Sequence, residues 1–182
     1  MPRLPYYDPD DGPEKTRELL DSTPLSLLRM AAHAQGAFEP WLRYGAALLR
    51  RLELDPLLRE LAILQVAHLL DSPYEWVQHD VLARSLGASD AQVAAVEHDR
   101  EDDTSFSVEQ RLVLRFSREV ILDGAGSEQT TAELAALLGP RQLVELLLLI
   151  GQYMSIAQLI ATTGLEPDAP LPAGMLARPP DP

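Results

Sequence analysis

The sequence contains no cysteine among its 182 residues. This absence excludes disulfide scaffolds, zinc–thiolate centres and every reaction that uses a thiol nucleophile or a cycling cysteine pair. Lysine occurs once, at Lys15 near the N-terminus, so we do not expect a buried amine that forms a Schiff base. No glycine-rich loop follows a strand pattern, which leaves nucleotide binding through a phosphate loop without support.

Positive charge is also scarce, because 28 acidic residues face 15 Lys and Arg, giving a net charge of -13. A surface of this sign repels nucleic acid and anionic membranes, so neither is an expected partner. The longest uninterrupted apolar run, Leu146–Ile150, is far shorter than the roughly 20 residues of a membrane-spanning helix. The N-terminus lacks the basic start and apolar run of an export signal. We therefore expect a cytoplasmic protein.

The apolar pattern predicts an all-α protein. Hydrophobic residues, 46% of the sequence, recur at spacings of three and four, and runs of alternating β-branched residues are missing. Candidate N-terminal caps precede the helices at Thr23, Asp55, Ser72, Ser89, Ser107 and Ser127. Candidate C-terminal stops are Gly36, Gly87, Gly124, Gly139 and Gly164.

These signals predict one helical domain over residues 14–165. A proline-rich N-terminal arm (1–13) and a proline-rich C-terminal tail (166–182) flank it, and both are expected to lie on the surface or against a neighbouring subunit. The predicted helices are Glu14–Asp21, Pro24–Ala34, Phe38–Arg51, Pro56–Leu70, Pro73–Leu86, Asp90–His98, Val108–Leu122, Glu128–Leu138 and Arg141–Thr163. The last of these is apolar on nearly every side, which predicts burial in the centre or at a subunit interface.

Three titratable residues interrupt apolar helix faces. Glu60 shares a face with Ile63 and Ala67 on one predicted helix, and Glu75 shares a face with His79 on the next. The short connection between the two helices favours antiparallel packing, which would bring Glu60 towards the other two side chains. Such a cluster suits proton transfer, because burial and neighbouring charges move the pKa of a carboxyl or imidazole towards the working pH.

Each of these residues also has a structural interpretation. Ser72-Pro73-Tyr74-Glu75 spells a capping box, in which the glutamate accepts a hydrogen bond from the backbone of the capping serine. His79 is equally compatible with a satisfied, half-buried histidine, and Glu60 with an ion pair to Arg59 or Arg84.

The sequence around this cluster resembles the carboxymuconolactone decarboxylase family, which also contains the alkylhydroperoxidase D proteins. Arg59–Leu64, Tyr74–His79, Ala83 and Gly87–Ser89 carry the resemblance, which extends over about residues 40–96. In the peroxidase branch of that family, a glutamate is followed by two cysteines spaced two apart and then by a histidine.

On that pattern Glu60 takes the glutamate position and His79 the histidine position. Ser72 and Glu75 take the two cysteine positions, so thiol-dependent peroxide reduction is excluded. The decarboxylase branch instead carries glutamate and histidine at the positions of Glu75 and His79. The resemblance implies an all-helical alkylhydroperoxidase D-like fold, assembly into trimers or hexamers, no metal or organic cofactor, and decarboxylation of a small carboxylated lactone.

The resemblance suggests roles for the three candidate catalytic residues. Loss of carbon dioxide from such a lactone leaves electron density that must be delocalised and then protonated at carbon, which requires a positioned acid. We expect His79 to donate this proton and Glu75 to orient and charge-balance it. Glu60 would hold a second proton or place a water molecule.

Candidate substrate-binding residues surround this cluster in the sequence. Tyr74 and Gln152 are expected to supply hydrogen bonds at the pocket wall. An arginine would bind the substrate carboxylate through two hydrogen bonds, and the sequence leaves Arg59, Arg84 and Arg118 as alternatives.

Two classes of function remain open at this level. The first is a cofactor-free enzyme acting on a small carboxylic acid or lactone, with isomerisation or ring closure as variants of the same acid–base chemistry. The second is a non-catalytic oligomeric binding or accessory protein in which Glu75 only caps a helix. A metal site is not expected, because His33, His68 and His98 lie on separate predicted helices. The apolar final helix and the resemblance both predict a homo-oligomer.

Overall fold

The computed structural model describes residues 2–23 and 25–172 of the chain. Within these residues the chain forms a 3₁₀-helix, Pro9–Asp11, and eight α-helices, with no strand. The helices are α1 (Glu14–Ser22), α2 (Ser26–Ala31), α3 (Gln35–Arg50), α4 (Pro56–Leu69), α5 (Pro73–Ser85), α6 (Asp90–Glu97), α7 (Val108–Asp123) and α8 (Glu128–Thr163). The prediction of an all-α fold is confirmed.

Helix α4 lies at the centre of the bundle and packs against α5, α6, α7 and α8. The side chain of Asp55 begins it by accepting hydrogen bonds from the amides of Leu57 and Leu58 at 2.8 and 3.1 Å. Nearly every residue from Leu58 to Ala67 is buried, because neighbouring helices cover α4 on several sides. A helix surrounded in this way also buries its polar residues, and Glu60 is completely buried.

Helix α8 contains the break that the sequence predicts. Gly139 has φ 76° and ψ 165°, outside the helical region, and Pro140 follows it. Glycine adopts this backbone without the strain that a β-carbon would cause, so the two predicted helices meet at a kink.

The apolar character of α8 is explained by its position. An 18-residue stretch of α8 has a mean hydropathy of 1.7 and is long and apolar enough to cross a membrane, but the core helices of folded proteins can have the same composition. In the structure α8 packs against α3, α4 and α7, and Leu146, Leu149 and Ile150 are fully buried.

One predicted helix stop is wrong. Gly36 lies inside α3, one residue after its start, instead of ending the preceding helix. Helix α2 ends earlier, at Ala31, and the predicted start of this helix at Pro24 lies outside the described residues. Gly124 and Gly164 follow the prediction, since both end helices in the left-handed conformation.

Both ends of the described chain lie against the bundle. The backbone amide of Arg3 donates to the carbonyl oxygen of Thr163 at 2.7 Å, and its guanidinium donates to two further carbonyls in the last turn of α8. These bonds satisfy acceptors that a helix end otherwise leaves unpaired. At the C-terminal end, Leu165 and Leu171 are buried in two different hydrophobic clusters. The rest of the predicted tail, 173–182, lies outside the described residues.

Candidate active site

A buried carboxylate, an imidazole and a guanidinium meet between α4 and α5. Glu60 Oε2 lies 2.6 Å from His79 Nδ1, and Glu60 Oε1 accepts a hydrogen bond from Arg59 Nε at 2.9 Å. Arg59 also donates to the carbonyl oxygen of Leu49 at 2.6 Å, which ties the group to the end of α3. The expected approach of Glu60 to His79 across the two helices is therefore present in the structure.

The charges around Glu60 determine whether the proton between Glu60 and His79 lies on the carboxyl or on the imidazole. Burial alone would raise the pKa of Glu60, but the attraction of His79 and Arg59 outweighs it and holds the pKa below its ordinary value. Glu60 is therefore a carboxylate that can only accept, so Nδ1 of His79 carries the hydrogen that it donates. Within the described part of the chain no hydrogen bond reaches Nε2, the other ring nitrogen.

Glu75 lies one turn before His79 on α5 and is in a different state. Only 3% of its surface is exposed, and neither carboxyl oxygen has a hydrogen-bond partner among the described residues. Burial raises the pKa of Glu75 to about 8, and the nearby Ser72 hydroxyl opposes this rise only in part. At neutral pH Glu75 is therefore a neutral carboxylic acid, whereas Glu60 is ionised.

The capping box that the sequence spells at the start of α5 does not form. The side chain of Ser72 makes no capping hydrogen bond, and its hydroxyl, like the carboxyl of Glu75, has no partner in the described ranges. The same kind of pattern does form capping boxes at Ser89 with Gln92 and at Ser107 with Gln110. The structure therefore does not support the interpretation of Glu75 as a helix cap.

Tyr153 of α8 completes the cluster, although it was not among the predicted site residues. Its ring meets the ring of His79 edge to face, with centroids 4.9 Å apart and planes at 90°. Burial, followed by the charges of Glu60 and Glu75, raises its pKa well above the ordinary value, so the phenol stays protonated. The sequence signal is that Tyr153 is the only aromatic residue in α8.

Of the two predicted hydrogen-bonding residues, Tyr74 has its hydroxyl engaged outside this cluster. The Tyr74 hydroxyl donates to Asp168 and accepts from the amide of Leu27 at 3.2 Å, so its polar atom is engaged at the C-terminal segment. Gln152 precedes Tyr153 on α8, and its amide nitrogen lies beside Gly45 of α3.

The three candidate arginines are placed differently. Arg59 belongs to the cluster through its bond to Glu60. Arg84 forms a surface ion-pair group with Asp80 and Asp90. Arg118 pairs with Asp99 at 2.6 Å and Glu101 at 2.7 Å, in another surface group. Among these three, Arg59 is therefore the arginine that the structure brings to His79, through Glu60.

An apolar pocket of about 310 Å³ lies elsewhere, between α2, α3 and α8. Met30, Phe38, Trp41 and Leu159 are among its lining residues. None of the five residues described above lines it, namely Arg59, Glu60, Glu75, His79 and Tyr153. The evidence for a ligand at the cluster is instead its chemistry. Buried polar groups in folded proteins nearly always have partners, and here both carboxyl oxygens of Glu75 have none among the described residues.

The helical arrangement defines an alkylhydroperoxidase D-like fold. It is similar to the crystal structure of an uncharacterized peroxidase-related protein from Silicibacter sp. TM1040, with a TM-score of 0.73 and 17% sequence identity over 91% of this chain and 90% of that chain. Residues 35–119, slightly less than half of the chain, match the sequence profile of the carboxymuconolactone decarboxylase family. Among curated proteins, none matches the chain.

Proposed function

We propose that the chain is a cofactor-free acid–base catalyst that decarboxylates or isomerises a small carboxylated lactone or a related carboxylic acid. The observation that carries the proposal is the pairing of an ionised Glu60, bonded to His79, with a neutral, unpartnered Glu75 nearby on the same helix as His79. Two carboxyl groups held in opposite protonation states are the usual basis for assigning an acid and a base.

The contacts favour roles that differ from the sequence-based assignment. Glu60, and not Glu75, makes the hydrogen bond that orients His79 and balances its charge. Arg59 holds Glu60 in place, as a carboxylate-bound guanidinium does, and is assigned to that task instead of to the substrate. Glu75 is then the proton donor, because at neutral pH it still carries its proton.

In the decarboxylation, the bond between the ring carbon and the substrate carboxylate breaks and carbon dioxide leaves. The electron pair stays on the carbon skeleton and is delocalised onto the lactone carbonyl oxygen, where the Tyr153 hydroxyl donates a hydrogen bond. Glu75 transfers its proton to carbon and becomes a carboxylate. Nε2 of His79 then relays a proton from solvent back to Glu75. In an isomerisation, the same nitrogen would remove a proton from one carbon while Glu75 protonates another.

Turnover of a carboxylated muconolactone tests these roles. We expect Glu75→Gln and His79→Ala each to lower kcat by about 10²- to 10⁴-fold with little change in KM, the range associated with loss of a positioned acid or base. Glu97→Gln, an exposed change on α6, is the matched control and should keep the parental rate. If Glu75→Gln and His79→Ala both keep parental rates, the assignment is wrong.

The second candidate is a non-catalytic binding or accessory protein. The apolar pocket lined by Phe38 and Trp41 favours it, because such a pocket can hold a ligand without any acid–base chemistry. Under this alternative the parent protein would bind a small molecule but would not turn over a carboxylated lactone.

The chain is further proposed to form a homo-oligomer, a trimer or hexamer, in the cytoplasm. Large hydrophobic residues with 38–54% of their surface exposed support this proposal. They are Val144, Leu147 and Leu148 on α8 and Tyr44 on α3. Apolar side chains grouped in this way are typical of protein–protein contacts. Sedimentation at micromolar concentration should show an assembly, and a 20.1 kDa monomer alone would contradict it.

A further inference from the structure

One glutamine of α5, Gln78, makes three hydrogen bonds to the C-terminal segment, residues 165–172. The amide nitrogen of Gln78 donates to the carbonyl oxygens of Asp168 and Ala169 at 3.4 and 3.1 Å, and its oxygen accepts from the amide of Leu171 at 2.8 Å. Gln78 is only 4% exposed. An extended segment without a neighbouring strand must find partners for its backbone groups, and here a side chain supplies them.

A second attachment lies one turn earlier on the same row of α5. The Tyr74 hydroxyl donates to the carboxylate of Asp168, and the same Asp168 oxygen accepts from the amide of Ser26 at 2.6 Å. Asp168 thus joins the start of α2 to α5. Buried Leu165 and Leu171 fix the two ends of the segment in different hydrophobic clusters.

Two adjacent rows of side chains on α5 contact different parts of the molecule. Tyr74 and Gln78 are four residues apart and form one row, which contacts residues 165–172. Glu75 and His79, also four apart, form the adjacent row, which carries the proposed acid and the imidazole bonded to Glu60. Any rotation of α5 about its axis would therefore break the first row's bonds and turn the second row away from Glu60 and Tyr153.

We infer that residues 165–172 act as a clamp on α5, and that Gln78 and Tyr74 are positioning residues that fix where Glu75 and His79 point. The inference rests on the proposed roles of Glu75 and His79. The segment after α8 lies beyond the family match at residues 35–119, and on this inference it helps to position the candidate active site.

The test compares Gln78→Leu with a matched control, Gln92→Leu. Gln92 is 7% exposed and also donates two hydrogen bonds, to the carbonyl oxygen of Ser105 and to Gln110, but it lies on α6. NMR spectroscopy of the full chain would follow the titration of the Glu75 carboxyl and the ring signals of His79, which the edge-to-face contact with Tyr153 shifts. Neither readout requires a substrate, so the clamp can fail while the proposed function stands, or the reverse.

In Gln78→Leu we expect the proton affinity of Glu75 to fall at least tenfold and the His79 ring signals to move. Gln92→Leu should lower stability and leave both readouts as in the parent protein. The inference is overturned if Gln78→Leu leaves both readouts unchanged, or if Gln92→Leu changes them equally. Should Gln78→Leu not fold, Tyr74→Phe, which deletes only the hydroxyl that holds Asp168, decides the question by the same readouts.

Discussion

A Glu75→Gln variant is expected to be more stable than the parent protein at pH 8, by about 4 kcal/mol. The reason is that burial raises the pKa of Glu75 from an ordinary 4.5 to about 8 in the folded protein. Between these two values the folded state keeps a proton that the unfolded state has lost, so parental stability falls as pH rises through this window. The glutamine is neutral throughout and does not incur this loss.

Urea denaturation at pH 5 and pH 8 measures the effect. The two proteins should differ little at pH 5 and most at pH 8, where the variant is the more stable one. Glu39→Gln is the control of opposite sign, because the hydrogen bond from Lys15 lowers the pKa of Glu39 and its substitution should not stabilise the protein at pH 8. Equal stability of parent and Glu75→Gln at both pH values would contradict a buried, neutral Glu75.

Replacing Glu60 by glutamine should have the opposite effect and destabilise the protein by about 3 kcal/mol at neutral pH. Glu60 is fully buried and is the shared acceptor for Arg59 and His79. Glutamine keeps the shape but removes the charge, and it places N–H donors against donors. Because the pKa of Glu60 is held below its ordinary value of 4.5, the difference is complete at neutral pH and shrinks in strongly acidic solution.

The measurement is again urea denaturation, now at pH 7 and in acid, with Glu97→Gln as the control at an exposed position. The control should change stability by no more than about 0.5 kcal/mol, as surface substitutions usually do. A Glu60→Gln variant as stable as the parent at pH 7 would mean that the group formed with Arg59 and His79 contributes nothing to folding.

Opposite stability effects of the two glutamate substitutions would distinguish the two carboxyl groups. Glu75 would destabilise the folded protein at the pH where it works, as functional groups often do. It occupies the position where, by resemblance, the peroxidase branch carries a cysteine. With a pKa of about 8, its carboxyl loses its proton near the pH at which an ordinary thiol does, about 8.5. The substitution keeps a proton-bearing acid at this position but not redox chemistry.

The sequence predicts helices well in this chain because their signals are local. Asp55, Ser89 and Ser107 cap helices through bonds to amides only two or three residues away, and those bonds are present. The approach of Glu60 to His79 was also predictable, since a short connection between two helices limits how they can pack.

The sequence pattern at Ser72 predicts a capping box that the structure does not contain. Its sequence pattern matches the one at Ser89, but Glu75 lies on a buried face of α5, and its carboxyl does not bond to the start of the helix. The direction in which a first helical turn faces depends on tertiary packing, which the pattern does not contain.

Long-range contacts account for the other differences. Tyr153 joins the cluster from α8, 74 residues after His79. Gln78 binds a segment some 90 residues away, as the separations of 90, 91 and 93 residues show. Periodicity and caps carry no information about such pairings, so the predicted site lacked Tyr153 and assigned Tyr74 to a substrate.

The protonation state of Glu75 is tested most directly by titrating its carboxyl in the parent protein. NMR of a carboxyl-labelled sample follows the titration, and Glu75→Gln assigns the signal. We expect a midpoint of about 8, with the carboxyl still protonated at pH 6.5. A midpoint near the ordinary 4.5 would contradict it, because Glu75 would then be ionised at neutral pH and have no proton to donate.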